Sequence, residues 1–206
     1  MTKSARMGCG SSKSRGQQNI KPNDGSTDDP LHQYLTDRQI NLVRDSWDLI
    51  HDSSSMEVGL TIYSSFFRSV ENEILVLFPR VIRTEDGGES LGVDEDMLKA
   101  HALRVMEGLD TIVTYLDEPT KLKTYLEYLG KQHHNSNVKT RMLERLWPCI
   151  DESFNATLGD VYLTDVRIAW RNMMEFVIFK MTNVMTEEMN SQRTAHVNGN
   201  GTASVT

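Results

Sequence analysis

Cysteine is nearly missing from this sequence, and long apolar runs are missing entirely. Only Cys9 and Cys149 occur among 206 residues, one in a polar leader and one in an expected helix. They do not suggest a disulfide framework, so a reducing compartment fits better. The longest apolar runs, such as the one from Ile74 to Phe78, are far shorter than the ~18 to 20 residues that span a bilayer. No segment is therefore expected to cross a membrane.

Basic patches and common catalytic motifs are also missing. The formal net charge is −7, and no cluster of Lys and Arg alternates with aromatic residues, which argues against nucleic acid as a partner. The sequence has no zinc-type Cys/His spacing, no Walker loop, no GxGxxG and no GxSxG. What remains is one ordinary domain that is large enough to bury a core.

Two polar ends enclose the region that carries an apolar pattern. Residues 1–35 are rich in Gly, Ser, Lys, Asn, Asp and Gln, and residues 186–206 are similarly polar. Both ends are expected to be disordered, because neither can bury enough apolar surface to offset its ordering entropy. The expected folded domain is therefore 36–185.

The apolar period of this domain is helical almost throughout. A capping box at Thr36 opens a first helix of about sixteen residues. Further helices are expected over 58–70, 71–78, 97–116, within 121–139, over 139–158 with a kink at Pro148, and over 164–186. Glycines and acids mark 83–96 as a loop, and no convincing period-2 run occurs. The predicted fold class is all-α, with seven or eight helices.

Two histidines face the interior of this pattern. In the segment KLKTYLEYLGKQHHNSNVK the apolar stripe begins at Leu122, and His133 follows eleven residues later. At ~100° per residue, His133 points within about 20° of Leu122, whereas His134 is rotated by about 100° more. His101 lies on the buried side of the preceding helix. One such histidine is usually a core residue bonded to a carbonyl or water, but two favour a metal, and haem iron offers two axial positions to imidazole.

The residues around these histidines resemble a known family. The stretches KAHALRVMEGLDTIVTYL and LGKQHHNSNVK, with the LF of LVLFPRV upstream, resemble the globin family over about 150 residues, from Thr36 to Thr186. Within it they are similar to the cytoglobin and neuroglobin branch, and most of all to globin X. The resemblance implies a globin fold around a haem b pocket. By position, His133 resembles the proximal iron ligand and His101 the distal histidine, and the 32 residues between them are its strongest element.

The same resemblance implies the other contacts of the pocket. Phe78 resembles the phenylalanine that wedges the haem, and Val105 resembles the distal valine one turn after the distal histidine. Leu129 and Val138 match apolar contacts on the proximal side. Arg104 occupies a position where a basic residue commonly meets a haem propionate.

The role of His101 decides the expected chemistry. If His101 also coordinates the iron, an external ligand can bind only after His101 dissociates, and the apparent affinity for that ligand falls accordingly. That favours redox work: nitrite reduction, NO dioxygenation, or electron transfer from an unidentified reductase. The alternative is reversible binding of O2, with NO and CO as further ligands, for storage, transport or sensing; a haem-free acylated adaptor is a third hypothesis. Two questions stay open, namely whether Tyr63 or Ser64 lines the distal pocket and whether Cys149 is a packing residue or a redox thiol.

The N-terminal segment carries a lipidation pattern. Counted from Met7, MGCGSS fits N-myristoylation at Gly8, with Cys9 beside it for palmitate. One myristoyl chain binds membranes only weakly, at ~10⁴ M⁻¹, so a second signal is needed; Cys9 supplies it, and Lys13 and Arg15 favour anionic lipid. Acylation requires initiation at Met7 or removal of the first seven residues. The pattern predicts attachment through lipid to the cytoplasmic face of a membrane, the plasma membrane in particular, and a cytoplasmic protein without acylation.

Overall fold

The computed structural model describes residues 30–199, with side chains described except at 30, 52–54, 70–72 and 196–199. Within that range the α-helices are α1 (Asp37–Ile74), α2 (Glu95–Thr114), α3 (Pro119–Asn135), α4 (Thr140–Glu144), α5 (Leu146–Leu158) and α6 (Thr164–Gly199). Short 3-10 helices cover Pro30–Gln33, Tyr115–Asp117 and Gly159–Val161, and two strands, β1 (Pro79–Arg83) and β2 (Glu89–Val93), form a hairpin. The all-α prediction is confirmed.

The first helix is much longer than predicted. Thr36 closes the expected capping box with Gln39, but α1 is 38 residues long, passes through the first two predicted helices and ends at Ile74, within the third. The segment from Asp37 to Ile74 contains no proline and only one glycine, Gly59. No local signal therefore ends the helix, and the described residues contain six α-helices instead of seven or eight.

The expected loop at 83–96 is largely a β-hairpin, so the prediction of no strand was wrong here. Strands β1 and β2 pair antiparallel, with Val81 opposite Leu91. The turn closes through the N–H of Thr84, which donates to the Gly88 carbonyl at 2.9 Å, and Gly87 has a φ of 77°. Five residues on each side are too few to produce a clear period-2 pattern in the sequence.

The helix is interrupted three residues before Pro148, where a kink was predicted. The helix breaks at Arg145 and divides the expected 139–158 segment into α4 and α5. Pro148 lies in the first turn of α5, where its missing N–H removes no helical hydrogen bond. The proline therefore helps to start a helix and does not bend one.

The folded part of the chain extends beyond the predicted bounds, 36–185, at both ends. Leu31 and Leu35 are 1% and 0% exposed, so residues assigned to the leader belong to the core. At the other end α6 runs to Gly199, and residues 186–199 are helical where a disordered tail was expected. The sequence from Thr164 to Gly199 contains no proline and no earlier glycine that would stop the helix.

The core lies where α1 crosses α2, α5 and α6, while α3 packs along α6. At its centre, the Trp170 ring meets the Phe154 ring edge-on at a centroid distance of 4.8 Å, and the Trp170 indole donates to the Ser46 hydroxyl at 2.8 Å. No helix among residues 30–199 combines the length and apolar character that crossing a bilayer needs. Helices α2 and α3 each pack against the 3-10 helix at Tyr115–Asp117, yet they make few close backbone contacts with each other.

Candidate functional site

The end of α3 fixes the position of His133. Asn137 takes a left-handed φ of 58°, the Asn137 N–H donates to the His134 carbonyl at 2.9 Å, and the Val138 N–H donates to the His133 carbonyl at 3.0 Å. This pair of bonds is a Schellman cap, which asparagine tolerates because its short polar side chain permits the left-handed conformation. The sequence HHNSNV therefore ends the helix at Asn135, two residues after His133, and turns Val138 back beside it.

The imidazole of His133 is oriented for ligation. Its Nδ1 lies 2.8 Å from the Leu129 carbonyl oxygen. A carbonyl only accepts, so Nδ1 carries the proton and donates it, which leaves the lone pair of Nε2 free. Metal-bound histidines typically donate the other ring N–H in this way.

His101 is held on α2 by aromatic rings from two other segments. The Tyr63 ring of α1 meets it edge-on, with centroids 5.3 Å apart and an interplanar angle of 88°. The Phe78 ring, just before β1, lies 5.6 Å away. Phe67 contacts both of these rings, with centroids 5.4 Å from Tyr63 and 6.3 Å from Phe78. Aromatic contacts thus leave His101 only partly exposed and restrict its movement.

Both imidazoles are neutral near pH 7. Burial, the nearby His133 and the Arg104 charge lower the pKa of His101 from 6.5 to about 4. Burial also lowers the pKa of His133, although its bond to the Leu129 carbonyl acts in the opposite direction. A neutral imidazole is the form that binds a metal.

The apolar residues predicted to surround the two histidines are all partly buried. Phe78, Val105, Leu129 and Val138 are half-buried and packed against the core. Phe78 contacts the His101 ring, the Leu129 carbonyl accepts from the His133 ring, and the Val138 N–H donates to the His133 carbonyl. Half-exposed apolar walls with a free Nε2 at one side suit a flat apolar group that carries a metal, and haem is such a group. The residues present therefore fit haem.

The structure shows which of Tyr63 and Ser64 faces His101. Tyr63 is 5% exposed and touches His101, whereas Ser64 is exposed and its hydroxyl donates to the Leu60 carbonyl at 2.8 Å. Burial also raises the pKa of Tyr63, so the phenol keeps its proton. The Arg104 side chain is exposed, and its charge acts on both Tyr63 and His101, which locates it at the rim of the site.

Phe67 is a further residue beside His101's neighbours, and the structure bears on the open question about Cys149. Sequence reasoning did not assign Phe67 to the pocket; its signal is the step of four residues from Tyr63, which puts both rings on one face of α1. Cys149 is 5% exposed, its thiol points to the Arg145 carbonyl at 3.5 Å, and burial raises its pKa. A raised thiol pKa favours the packing role over the redox role. Gly8 and Cys9 lie outside the described residues.

Sequence comparison finds similar proteins of one kind. A family model described as "Globin" matches residues 62–181, more than half of the chain. Neuroglobin of Danio rerio is 27% identical over 148 residues, which cover 72% of this chain and 91% of the relative. Cytoglobin-2 of Danio rerio is 27% identical over 159 residues, with 74% and 84% covered.

A solved structure has the same fold. It is a hexacoordinated heme protein from an anhydrobiotic tardigrade, determined at pH 4, and it aligns with a TM-score of 0.62. The alignment covers 74% of this chain and 96% of that one, at 20% identity. At that identity the likeness concerns the arrangement of helices.

Proposed function

Because this chain belongs to the globin family, we propose that it is a six-coordinate haem protein of the globin X type, with iron held by His133 and His101. The observation that carries the proposal is the pair of half-buried imidazoles, with His101 held by aromatic rings on α2 and His133 oriented by the Leu129 carbonyl on α3. The neuroglobin, cytoglobin and hexacoordinated heme protein matches are consistent with it.

Each residue of the site has a definite task in this proposal. His133, oriented by the Leu129 carbonyl, is the proximal ligand, and His101 is the distal ligand. The half-buried Phe78, Val105, Leu129 and Val138 pack on haem b, and Arg104 at the rim pairs with a propionate. Their burial keeps bulk water away from the group.

We propose redox work as the main activity. Bound haem supplies an iron that exchanges one electron and accepts a small ligand. Two imidazoles suit both oxidation states, which lowers the rearrangement that electron transfer requires, and His101 must move before any ligand enters. Globins bind diatomic gases such as O2, and reversible O2 binding is the second candidate. Nitrite reduction, NO dioxygenation or electron transfer from a reductase use the paired imidazoles better.

Replacing His101 by leucine tests the ligand assignment. Without its imidazole the reduced protein is expected to change from sharp split visible bands to one broad band, because one iron ligand is lost. Its CO affinity should rise by the factor by which His101 ligation lowers it in the parent protein. That factor is about 10-fold if His101 is dissociated from the iron in only a tenth of the parent protein. The measurement is the visible spectrum of both reduced proteins under nitrogen, followed by CO titration.

The same pair of proteins separates redox work from storage. If the site serves redox chemistry, the nitrite reaction and the autoxidation rate should differ between parent and His101→Leu protein, because His101 controls access. Val105→Ala, which truncates an apolar wall and leaves both imidazoles, is the control for a general change in packing. Equal nitrite and autoxidation rates in parent and His101→Leu protein would favour reversible O2 binding.

We also propose that the N-terminal segment attaches the protein to membranes. The support is the sequence MGCGSS from Met7, with Gly8 as the myristate site and Cys9 as the palmitate site. When the chain is expressed from Met7 in eukaryotic cells, we expect most of it in the membrane fraction. Gly8→Ala should move it to the soluble fraction, since no myristate can be added. Gly10→Ala, a neighbouring glycine, is the control. Soluble protein with an unmodified Gly8 by mass would refute the anchor.

A further inference from the structure

A group of charged side chains joins the end of α1 to α4. Glu73 is the second-to-last residue of α1, and its side chain is half-buried. The Arg141 Nε donates to one Glu73 carboxylate oxygen at 3.0 Å, and the Arg141 Nη2 lies 2.7 Å from the same oxygen. The Arg145 guanidinium lies 3.6 Å from the other oxygen and donates to the Ser69 carbonyl at 3.1 Å. Glu73, Arg141 and Arg145 thus form a clamp between two segments.

The position of Glu73 in its helix is unfavourable for a carboxylate. The last turn of a helix presents unsatisfied carbonyls with partial negative charge, which disfavour an acidic side chain. Glu73 stands in the last turn of α1, which contains no basic residue of its own. Ile74 beside it is 1% exposed, so apolar burial already anchors this end of α1 in the core. The stability of the fold therefore gives little reason for a glutamate here, and its contacts with two arginines indicate another role.

The end of α1 determines where Phe78 lies. Phe78 occupies a bend between α1 and β1, and its N–H donates to the Ile74 carbonyl at 2.9 Å. The Phe78 carbonyl accepts from the N–H of Asp94, the cap of α2, at 3.1 Å. The Phe78 ring lies 5.6 Å from the His101 ring. A shift of the end of α1 therefore moves an aromatic ring that restricts His101.

The arginines of the clamp belong to the segment that follows His133. The Val138 N–H donates to the His133 carbonyl at 3.0 Å, and Arg141 lies in the first turn of α4 just beyond it. Among residues 30–199, α4 makes few close backbone contacts with α1, so the charged side chains supply a connection that backbone packing does not. The clamp thus connects the segment that carries Phe78 with the segment that follows His133.

We propose that Glu73 is a positioning residue: through its two arginines it holds Phe78 against His101 and so sets how readily His101 dissociates from the iron. The inference rests on the proposed haem function. Without the clamp, the end of α1 moves away from α4, Phe78 withdraws from the imidazole, and His101 leaves the iron more often. Because all three side chains are partly exposed, salt screens their charges, and the fraction of protein with dissociated His101 rises with ionic strength.

Removing the charge of Glu73 tests the proposal. At saturating CO, dissociation of His101 limits the rate at which the reduced protein binds CO. This rate should be about threefold higher in Glu73→Gln than in the parent, a factor typical of partly exposed ion pairs. In the parent, 1 M NaCl should raise the rate similarly, because the screening length is then about 3 Å. In Glu73→Gln, salt should have no effect. An unchanged rate in Glu73→Gln would overturn the proposal.

Asp165→Asn is the matched control. Asp165 of α6 pairs with Arg38 of α1 at 2.7 Å, so this pair also joins two helices, at the opposite end of α1 from Glu73. Asp165 lies in a first turn, where a carboxylate is favourable, whereas Glu73 lies in a last turn. Asp165→Asn should therefore lower the melting temperature more than Glu73→Gln does, yet leave the CO rate unchanged. If the CO rate instead follows the loss of stability in both variants, Glu73 has only a structural role and the proposal is refuted.

Arg141→Gln tests whether the acid and the arginine act together. It should raise the CO rate about as much as Glu73→Gln does. The double variant should not exceed either single variant, because each removes the same contact. Increases that add in the double variant would overturn the clamp as a unit.

Failure of this inference is distinguishable from failure of the haem proposal. A reduced parent protein without split bands would show that the proposed ligation by His101 is wrong. The hold on Phe78 is then measured in the purified protein by hydrogen exchange of the Phe78 and Asp94 amides, which should be about threefold faster in Glu73→Gln. Split bands together with equal CO rates in parent and Glu73→Gln would leave the ligation intact and refute the clamp.

Discussion

Replacing His133 by alanine is expected to abolish stable haem retention. The side chain is the one whose Nε2 is free and whose Nδ1 is fixed by the Leu129 carbonyl at 2.8 Å. Loss of an outer partner of a metal ligand already costs about 10–100-fold in affinity, so loss of the ligand itself should exceed the upper end of that range. The measurement is the ratio of haem absorbance to protein absorbance after gel filtration with excess haem.

The neighbouring histidine supplies the control for this experiment. His134 is half-buried on the same turn, but its side chain points about 100° away from that of His133, and it is His133 that bonds the Leu129 carbonyl. His134→Ala should keep haem as the parent does. In His133→Gly, free imidazole should restore the six-coordinate spectrum, because it can occupy the space that the side chain leaves. A His133→Ala protein that retains haem with an unchanged spectrum would assign the proximal role to another residue.

The sequence could predict that His101 and His133 lie on two separate helices and turn toward the interior, because the signals for these features are local. The direction of His133 follows from a stripe of leucines within one helix, and the end of that helix follows from Asn137 and its neighbours. His101 likewise follows from the apolar face of α2, whose start is fixed by the Asp94 cap. Periodicity and caps act over a few residues, so a single sequence contains them.

Features that depend on contacts between distant segments were missed or left open. Tyr63 and Ser64 differ by about 100° around α1, and only the crossing of α1 over α2 decides which of them meets His101. The length of α1 was missed for a different reason: the apolar stripes were interpreted as separate helices although no proline between Asp37 and Ile74 stops the helix. The hairpin at 79–93 depends on pairing between two short strands.

Gly130 is another such feature, and it connects the site to α6. A Cβ atom at this position would lie 2.9 Å from the Met181 carbonyl oxygen and 2.9 Å from the Val184 Cβ, both closer than van der Waals contact. The sequence marks Gly130 only as a glycine inside a helix. In the structure, the missing side chain of Gly130 lets α3 approach α6 closely, one turn before His133. The ion pair of Lys131 and Glu188 lies beside this contact.

Enlarging Gly130 should therefore weaken both the fold and the site. Gly130→Val is expected to lower the free energy of unfolding by about 3 kcal/mol, the upper end for overpacking, because a backbone carbonyl cannot move aside as a flexible side chain can. At roughly 2–4 °C per kcal/mol, the melting temperature should fall by about 6–12 °C.

Gly130→Ala and Gly108→Ala form a matched pair, since the added Cβ at Gly108 meets only the Tyr125 hydroxyl, at an ordinary 3.5 Å. Gly108→Ala should gain up to about 1 kcal/mol of helix propensity, whereas Gly130→Ala should lose stability despite the same gain. Displacement of α3 should also shift the visible spectrum of Gly130→Val, because His133 moves with its helix. Equal melting temperatures for the two alanine variants would show that α3 can separate from α6 without cost, and that the position of His133 does not depend on this contact.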